Sequence, residues 1–234
     1  MKKILFFNAL ILFGLMACDP NKTSPEKTIT TMNASIVNYI DSQVIPGFDT
    51  LSPERKEILN ELSDWISENT DSNRALTFIC THNSRRSHFG QIWAQVAANY
   101  YGISNIKTYS GGTEATAFNP RAIAAMERVG FSVAKDSGEN PMVHLKYDTE
   151  SEAINCFSKK YSDKSNPQKQ FAAIMTCSHA DEACPVVFGA SKRFAIMYLD
   201  PKVADNTDQE TAKYDERCKQ IATEMFYVMS RVKK

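Results

Sequence analysis

Ten consecutive residues carry most of the chemistry available to this chain: Phe78-Ile79-Cys80-Thr81-His82-Asn83-Ser84-Arg85-Arg86-Ser87. An apolar run ends at Cys80, Arg86 follows six positions later, and a helical pattern starts at once. A loop between a strand end and a helix start turns successive backbone N–H groups inward, at the positive end of the helix dipole. A cysteine sulfur held in such a nest favours the thiolate, which is the nucleophilic form. Arg86 can grip two oxygens of a tetrahedral oxyanion, Ser87 can hydrogen-bond the thiolate, and Asn83 can brace the loop. On this reading Thr81, His82, Asn83, Ser84, Arg85, Arg86 and Ser87 form an anion site around the Cys80 sulfur. Cys-x5-Arg alone is a weak signal, and a buried strand-end cysteine beside surface arginines is the competing reading.

Two more segments bear reactive groups. Asp200-Pro201 follows Phe194 to Leu199, an apolar run that reads as a strand. A positioned carboxyl can protonate a leaving oxygen, which contributes about 10²–10⁴-fold. A strand-ending turn explains the same dipeptide, but the carboxyl end of a strand, on the edge that carries Cys80, favours the acid. Cys177 and Cys184 stand seven apart behind the strand candidate Phe171 to Met175, with Pro185 following. A structural disulfide is the plain reading of that pair. Cys218 reads as a helix-packing residue and Cys156 as loop or core. His82, His88, His144 and His179 show no ligand spacing and the cysteines fit no zinc pattern, so neither metal nor cofactor is expected.

These groups need a scaffold of alternating strands and helices, and the periodicity supplies one. Ala75 to Ile79 reads as a strand buried on both faces, followed by a helix from Ser87 to Tyr101 and a strand from Ile106 to Tyr109. Asn119-Pro120 opens a helix that runs to Val129 and closes at Gly130. After the strands Phe171 to Met175 and Phe194 to Leu199 comes a last helix, about Thr211 to Val232. Strands separated by helices predict an α/β domain with a parallel sheet and right-handed crossovers. Upstream, Ile36, Val37, Tyr39, Ile40 and Val44 make one helical stripe. A second helix has Ser52 as N-cap and Pro53 as its first residue, and buries Ile58, Leu59, Leu62, Trp65 and Ile66. The stretch from Lys135 to Lys169 is polar and poorly patterned, and is expected to be a lid-like or irregular excursion.

The chain has 234 residues with 27 basic and 27 acidic side chains, so no basic excess points to nucleic acid. Met1-Lys2-Lys3 and the apolar run Ile4 to Ala17 form a signal-peptide pattern, too short for a comfortable membrane span. Leu15-Met16-Ala17-Cys18 resembles the lipobox of bacterial lipoproteins, which implies cleavage before Cys18, lipidation there and an exported, membrane-anchored protein. An ordinary signal peptide ending near a cysteine is the alternative. The expected organisation is a signal peptide over 1–17, a lipidated tether over 18–31 and a helical extension over 32–70. One catalytic-type domain then spans 71–234, with a polar insertion around 136–169.

The Cys80 loop resembles that of the low-molecular-weight protein tyrosine phosphatase superfamily, Cys-x5-Arg-Ser directly after the first strand. The similarity is greater to its thioredoxin-coupled arsenate reductase branch, and covers roughly Leu76 to Lys233 with interruptions. Tyr109-Ser110-Gly111-Gly112-Thr113-Glu114 and Asn119-Pro120-Arg121-Ala122-Ile123-Ala124-Ala125-Met126 resemble the family's second strand and the helix after it. The resemblance implies a three-layer fold with a four-stranded parallel sheet flanked by helices. It implies Cys80 as nucleophile, Arg86 as oxyanion clamp and Asp200 as acid. In the reductase branch Cys177 would attack the arsenic adduct and release arsenite, and Cys184 would take over the disulfide for a thioredoxin-like reductant. The alternatives are hydrolysis of phosphate monoesters through a phosphocysteine, and binding of an oxyanion or phosphoprotein without turnover. Three positions depart from the family pattern: His82 where glycine is usual, Arg85 where cysteine is frequent, and Gln91 where some members use a glutamate to hold potassium. The potassium ion is therefore not expected, and His82 carries a backbone cost if its φ is positive.

Overall fold

The computed structural model describes residues 31–69, 74–183 and 186–233. The signal peptide expected over 1–17, the lipidation residue Cys18, nearly all of the 18–31 tether, and Cys184 lie outside the described residues. In chain order the strands are β1 (Arg74–Cys80), β2 (Ile106–Gly112), β3 (Ser132–Lys135), β4 (Val143–Lys146), β5 (Ile154–Cys156), β6 (Phe171–Met175) and β7 (Ala190–Ala195). The α-helices are α1 (Ala34–Tyr39), α2 (Pro53–Glu68), α3 (Arg86–Tyr100), α4 (Pro120–Val129), α5 (Ser178–Ala183) and α6 (Glu210–Arg231).

β1 is buried along its whole length. It pairs in parallel with β2 and β6, and β7 joins β6 in parallel, giving the order β2-β1-β6-β7. Side chains alternate across the sheet, as strand geometry requires. Leu76, Phe78, Ile174 and Phe194 enter the larger core with α3, α6 and the N-terminal helices. Ala75, Ile79, Ala173 and Met175 face a smaller core closed by Ala180 of α5 and by Val187. The result is the expected three-layer α/β fold. Each large apolar side chain buried in it contributes about 1.5–3 kcal/mol.

Helix ends follow local chemistry. Ser52 Oγ accepts the Arg55 N–H at 3.2 Å, with Pro53 opening α2. Asn119 Oδ1 accepts the Arg121 N–H at 2.9 Å, and Gly130 closes α4 in the left-handed region at φ 117°. α1 continues through a π turn (Ile40–Val44) and a 3₁₀ turn (Ile45–Thr50), keeping Ile36, Ile40 and Val44 buried.

The fourth strand of the sheet is Ala190–Ala195, not Phe194 to Leu199, because its ladder pairs Phe171 with Ala190 through Met175 with Ala195. An edge strand exposes Ser191 and Lys192, so its start carries no apolar signature. The stretch 135–169 is not irregular throughout. β3, β4 and β5 form a separate antiparallel sheet, with Val143, Leu145, Ile154 and Cys156 buried. Short strands whose other face is polar leave too brief an alternation to read.

Candidate active site

Cys80 is the last residue of β1 and Arg86 the first of α3, so the intervening loop sits where parallel strands end and a helix begins. The Cys80 Sγ lies 3.1 Å from Ser87 Oγ, which also accepts a hydrogen bond from Asn83 Nδ2 at 2.9 Å. Asn83 is fully buried with φ 44°, and its Oδ1 accepts the Lys159 N–H at 2.9 Å. The left-handed residue of the loop is thus Asn83, not His82. Asparagine tolerates that region better than most residues, so the missing glycine at His82 brings no such strain. His82 instead stands 3.5 Å from Glu114, and its carbonyl accepts from Ser158 Oγ at 2.9 Å.

The end of β2 presses against the loop from one side. Thr113 N–H donates to the Cys80 carbonyl at 3.1 Å and Glu114 N–H to the Thr81 carbonyl at 2.8 Å. A Cβ on Gly112 would stand 2.6 Å from the Thr81 carbonyl oxygen and 2.7 Å from the Asn83 nitrogen. Only glycine permits that approach. Ser84 is tied to the following segment, its Oγ donating to the Ala117 carbonyl at 2.7 Å.

Arg86 is buried and binds the irregular segment that follows β7. Its Nη1 donates to the Tyr198 carbonyl at 2.9 Å and its Nη2 to Asp200 Oδ2 at 2.7 Å, while the buried Nε has no partner. Arg85 lies beside it, with Nε donating to the Tyr214 hydroxyl at 2.8 Å, 3.9 Å from Asp200 Oδ1, and Nη2 3.6 Å from Asp205. Asp200 therefore sits between two guanidinium groups, and its Oδ1 accepts the Lys202 N–H at 3.1 Å. Tyr198 is held in turn: its hydroxyl donates to Glu224 Oε2 at 2.7 Å, and Glu224 accepts two bonds from Arg55 of α2 at 2.7 and 3.0 Å. Neither Arg55 nor Glu224 carries a sequence signal for this duty, since they are 169 positions apart.

Cys177 follows β6 and is buried as a free thiol. Thr81 Oγ1 lies 3.5 Å from its sulfur and 3.4 Å from His179 Nδ1, and the Ala180 N–H donates to the same sulfur at 3.4 Å. The structure thus brings Cys80, Arg86, Ser87, Asp200 and Cys177 to one end of the sheet. Cys156 and Cys218 are elsewhere, fully buried, and desolvation pushes both thiols up to about 12. His88 stacks on Phe118 with ring centroids 4.1 Å apart, and burial with the Lys159 charge pushes it down to about 3, so it is neutral at pH 7. Among the described residues no group of three or more His, Cys, Asp or Glu side chains can hold a metal ion.

No protein-family model matches the sequence. The arsenate reductase of Halalkalibacterium halodurans is 26% identical over 137 residues, covering 58% of this chain and 81% of that protein. The arsenate reductase of Brevibacillus brevis is 30% identical over 115 residues, covering 49% of this chain and 67% of that protein. Among solved structures, a low-molecular-weight protein tyrosine phosphatase from Bacillus subtilis matches with a TM-score of 0.43 at 13% identity, covering 67% of this chain and 95% of that one.

Proposed function

The chain belongs to the arsenate reductase family, a branch of the low-molecular-weight tyrosine phosphatase superfamily, and on that premise we propose that it reduces arsenate to arsenite through a relay of Cys80, Cys177 and Cys184. The observation that carries this reading is the placement of the Cys177 thiol against Thr81, the residue that follows Cys80. A simple phosphomonoesterase has no use for a second thiol there.

In the proposed sequence the Cys80 thiolate attacks arsenate, forming a sulfur–arsenic bond as one oxygen leaves as water. The oxyanion exchanges with Asp200 on the Arg86 guanidinium, and Asp200 carries the proton to the leaving oxygen. The Cys177 thiolate then attacks the Cys80 sulfur. The sulfur–arsenic electron pair moves to arsenic, which departs as arsenite, and a Cys80–Cys177 disulfide remains. Cys184 attacks Cys177 and frees Cys80. A thioredoxin-like dithiol reduces the Cys177–Cys184 bond and supplies the two electrons. The test is arsenite release with excess dithiol. Wild type should turn over repeatedly, whereas Cys177→Ser and Cys184→Ser should stop after at most one turnover.

The phosphatase reading keeps a specific support in the Cys80, Arg86 and Asp200 arrangement, which suffices for phosphocysteine chemistry. Wild type that hydrolyses an aryl phosphate and releases no arsenite would replace the first reading with this one. For location we propose an exported lipoprotein anchored through Cys18, supported by Ile4 to Ala17 and Leu15-Met16-Ala17-Cys18. Its reductant would then act on the same side of the membrane. Mass spectrometry of the mature N-terminus tests this: an unmodified Met1 or an unlipidated Cys18 sinks it.

A further inference from the structure

Behind the catalytic loop, between α3, β2 and the small antiparallel sheet, lies a cavity of about 510 Å³. Its walls include Gln91, Gln95, Thr108, Tyr147, Phe157 and Lys159, with Glu152 also contributing. Pockets of this size take small organic ligands. Most polar groups here already have partners: Thr108 Oγ1 donates to Gln95 Oε1 at 3.3 Å, and Gln91 Oε1 accepts from Ser110 at 2.6 Å.

Lys159 is different. The residue is 6% exposed, and its ammonium has only a 3.5 Å contact to the Phe157 carbonyl and a position 4.5 Å over the Phe157 ring. Among the described residues it forms no ion pair. Asp163, whose charge reaches it, is held by the Ser165 N–H at 2.9 Å and hydroxyl at 2.8 Å. Burial disfavours the charged ammonium, so a buried cation with no anion in contact is costly, and an anion beside it recovers much of that cost.

We propose that this cavity is a second ligand site that binds a small aromatic monocarboxylate, with its carboxylate on Lys159. One ammonium balances one negative charge, and the Glu152 carboxylate among the lining residues opposes a dianion. Tyr109, Tyr147 and Phe157 are the aromatic residues of its wall and suit an aromatic body, while the Gln91 and Gln95 amides are already bonded within the protein and leave Lys159 as the polar anchor. The site is separate from the Cys80 loop but touches it, because the Lys159 N–H is the donor that holds Asn83 Oδ1. The inference stands independently of the reduction reading.

The test is calorimetric titration of the full chain with benzoate. Saturable one-to-one binding is expected, changed less than about threefold by saturating inorganic phosphate, which takes the Cys80 loop. Lys159→Met removes the cation in a similar volume and should weaken benzoate about tenfold or more, while phosphate still protects Cys80 from iodoacetamide. If Lys159→Met does not fold, Gln95→Phe fills the cavity from a half-buried position and should abolish benzoate binding. No saturable binding, unchanged binding in the folded variant, or displacement of benzoate by phosphate each overturns the proposal. None of these readouts uses arsenate turnover, so a failure here is distinct from a failure of the proposed reaction.

Discussion

The Asp200 carboxylate is bound to the Arg86 guanidinium at 2.7 Å, so the expected acid and the expected oxyanion clamp share one ion pair. An oxyanion that takes Arg86 must displace Asp200, while Arg85, 3.9 Å from the other carboxylate oxygen, stays close to it. Asp200→Asn should therefore bind inorganic phosphate several-fold more tightly while turnover falls about 10²–10⁴-fold. With aryl phosphates, the loss should be far larger for a poor leaving group than for a good one. Equal losses would remove Asp200 from the acid role.

Thiol reactivity should separate cleanly by position. With Cys156 and Cys218 pushed up to about 12, only about one in 10⁴ of either is thiolate at pH 8. Iodoacetamide at pH 7–8 should label Cys80 first, phosphate should protect it, and Cys156 and Cys218 should react only after denaturation. Cys80→Ser should abolish turnover of every substrate.

Helix α5 constrains the relay. Six helical residues rise about 9 Å, whereas disulfide-bonded Cα atoms lie about 4.4–6.8 Å apart. Cys177 and Cys184 flank the helix Ser178–Ala183, and a bond between them is expected to loosen that helix. An ion pair from Arg193 to Asp181, with a further bond from Arg193 Nη2 to the Asp181 carbonyl at 2.9 Å, holds that helix to β7. Arg193→Met should speed Cys177–Cys184 disulfide formation after arsenate exposure, read by quenched mass spectrometry. An unchanged or slower rate would show that unwinding is not limiting.

The buried Arg55–Glu224–Tyr198 cluster connects α2 to the oxyanion clamp. Arg55→Met leaves the buried Glu224 charge without its guanidinium and should cost about 3–5 kcal/mol in urea unfolding. The double variant Arg55→Met/Glu224→Met should recover most of that loss. Any weakening of phosphate affinity that persists in the double variant measures how far the cluster positions Tyr198, and through its carbonyl Arg86.

Acid stability should carry the mark of His88. Its folded value is about 3 against an ordinary 6.5, so below pH 6.5 the unfolded chain binds a proton that the native chain refuses. Stability from this group is full above pH 6.5 and falls as pH drops toward 3, by about 2 kcal/mol between pH 7 and 5. His88→Asn should lower stability at pH 7 yet lose about 2 kcal/mol less than wild type on going to pH 5. The same loss in both proteins would contradict this assignment.

What the sequence alone determined is what local physics encodes. Cys80 and Arg86 were legible because a buried apolar strand, a short loop and a helix start are contiguous, and their dipoles and N–H groups make an anion site without help from elsewhere. Ser52, Pro53, Asn119 and Gly130 were legible for the same reason, since a cap acts within one helical turn. That Asn83 is the left-handed residue of the loop, with its side chain held by the Lys159 N–H from 76 residues away, is a property of the folded chain. Only the tertiary structure decided that Arg86 pairs with Asp200 across 114 residues, and that Arg55 of α2 supports Tyr198 through Glu224. Periodicity records which face of an element is buried, not which element buries it. For that reason the solvent-facing start of β7 and the brief β3–β5 sheet leave no pattern in the sequence, and the long-range ion pairs form only where the fold brings distant segments together.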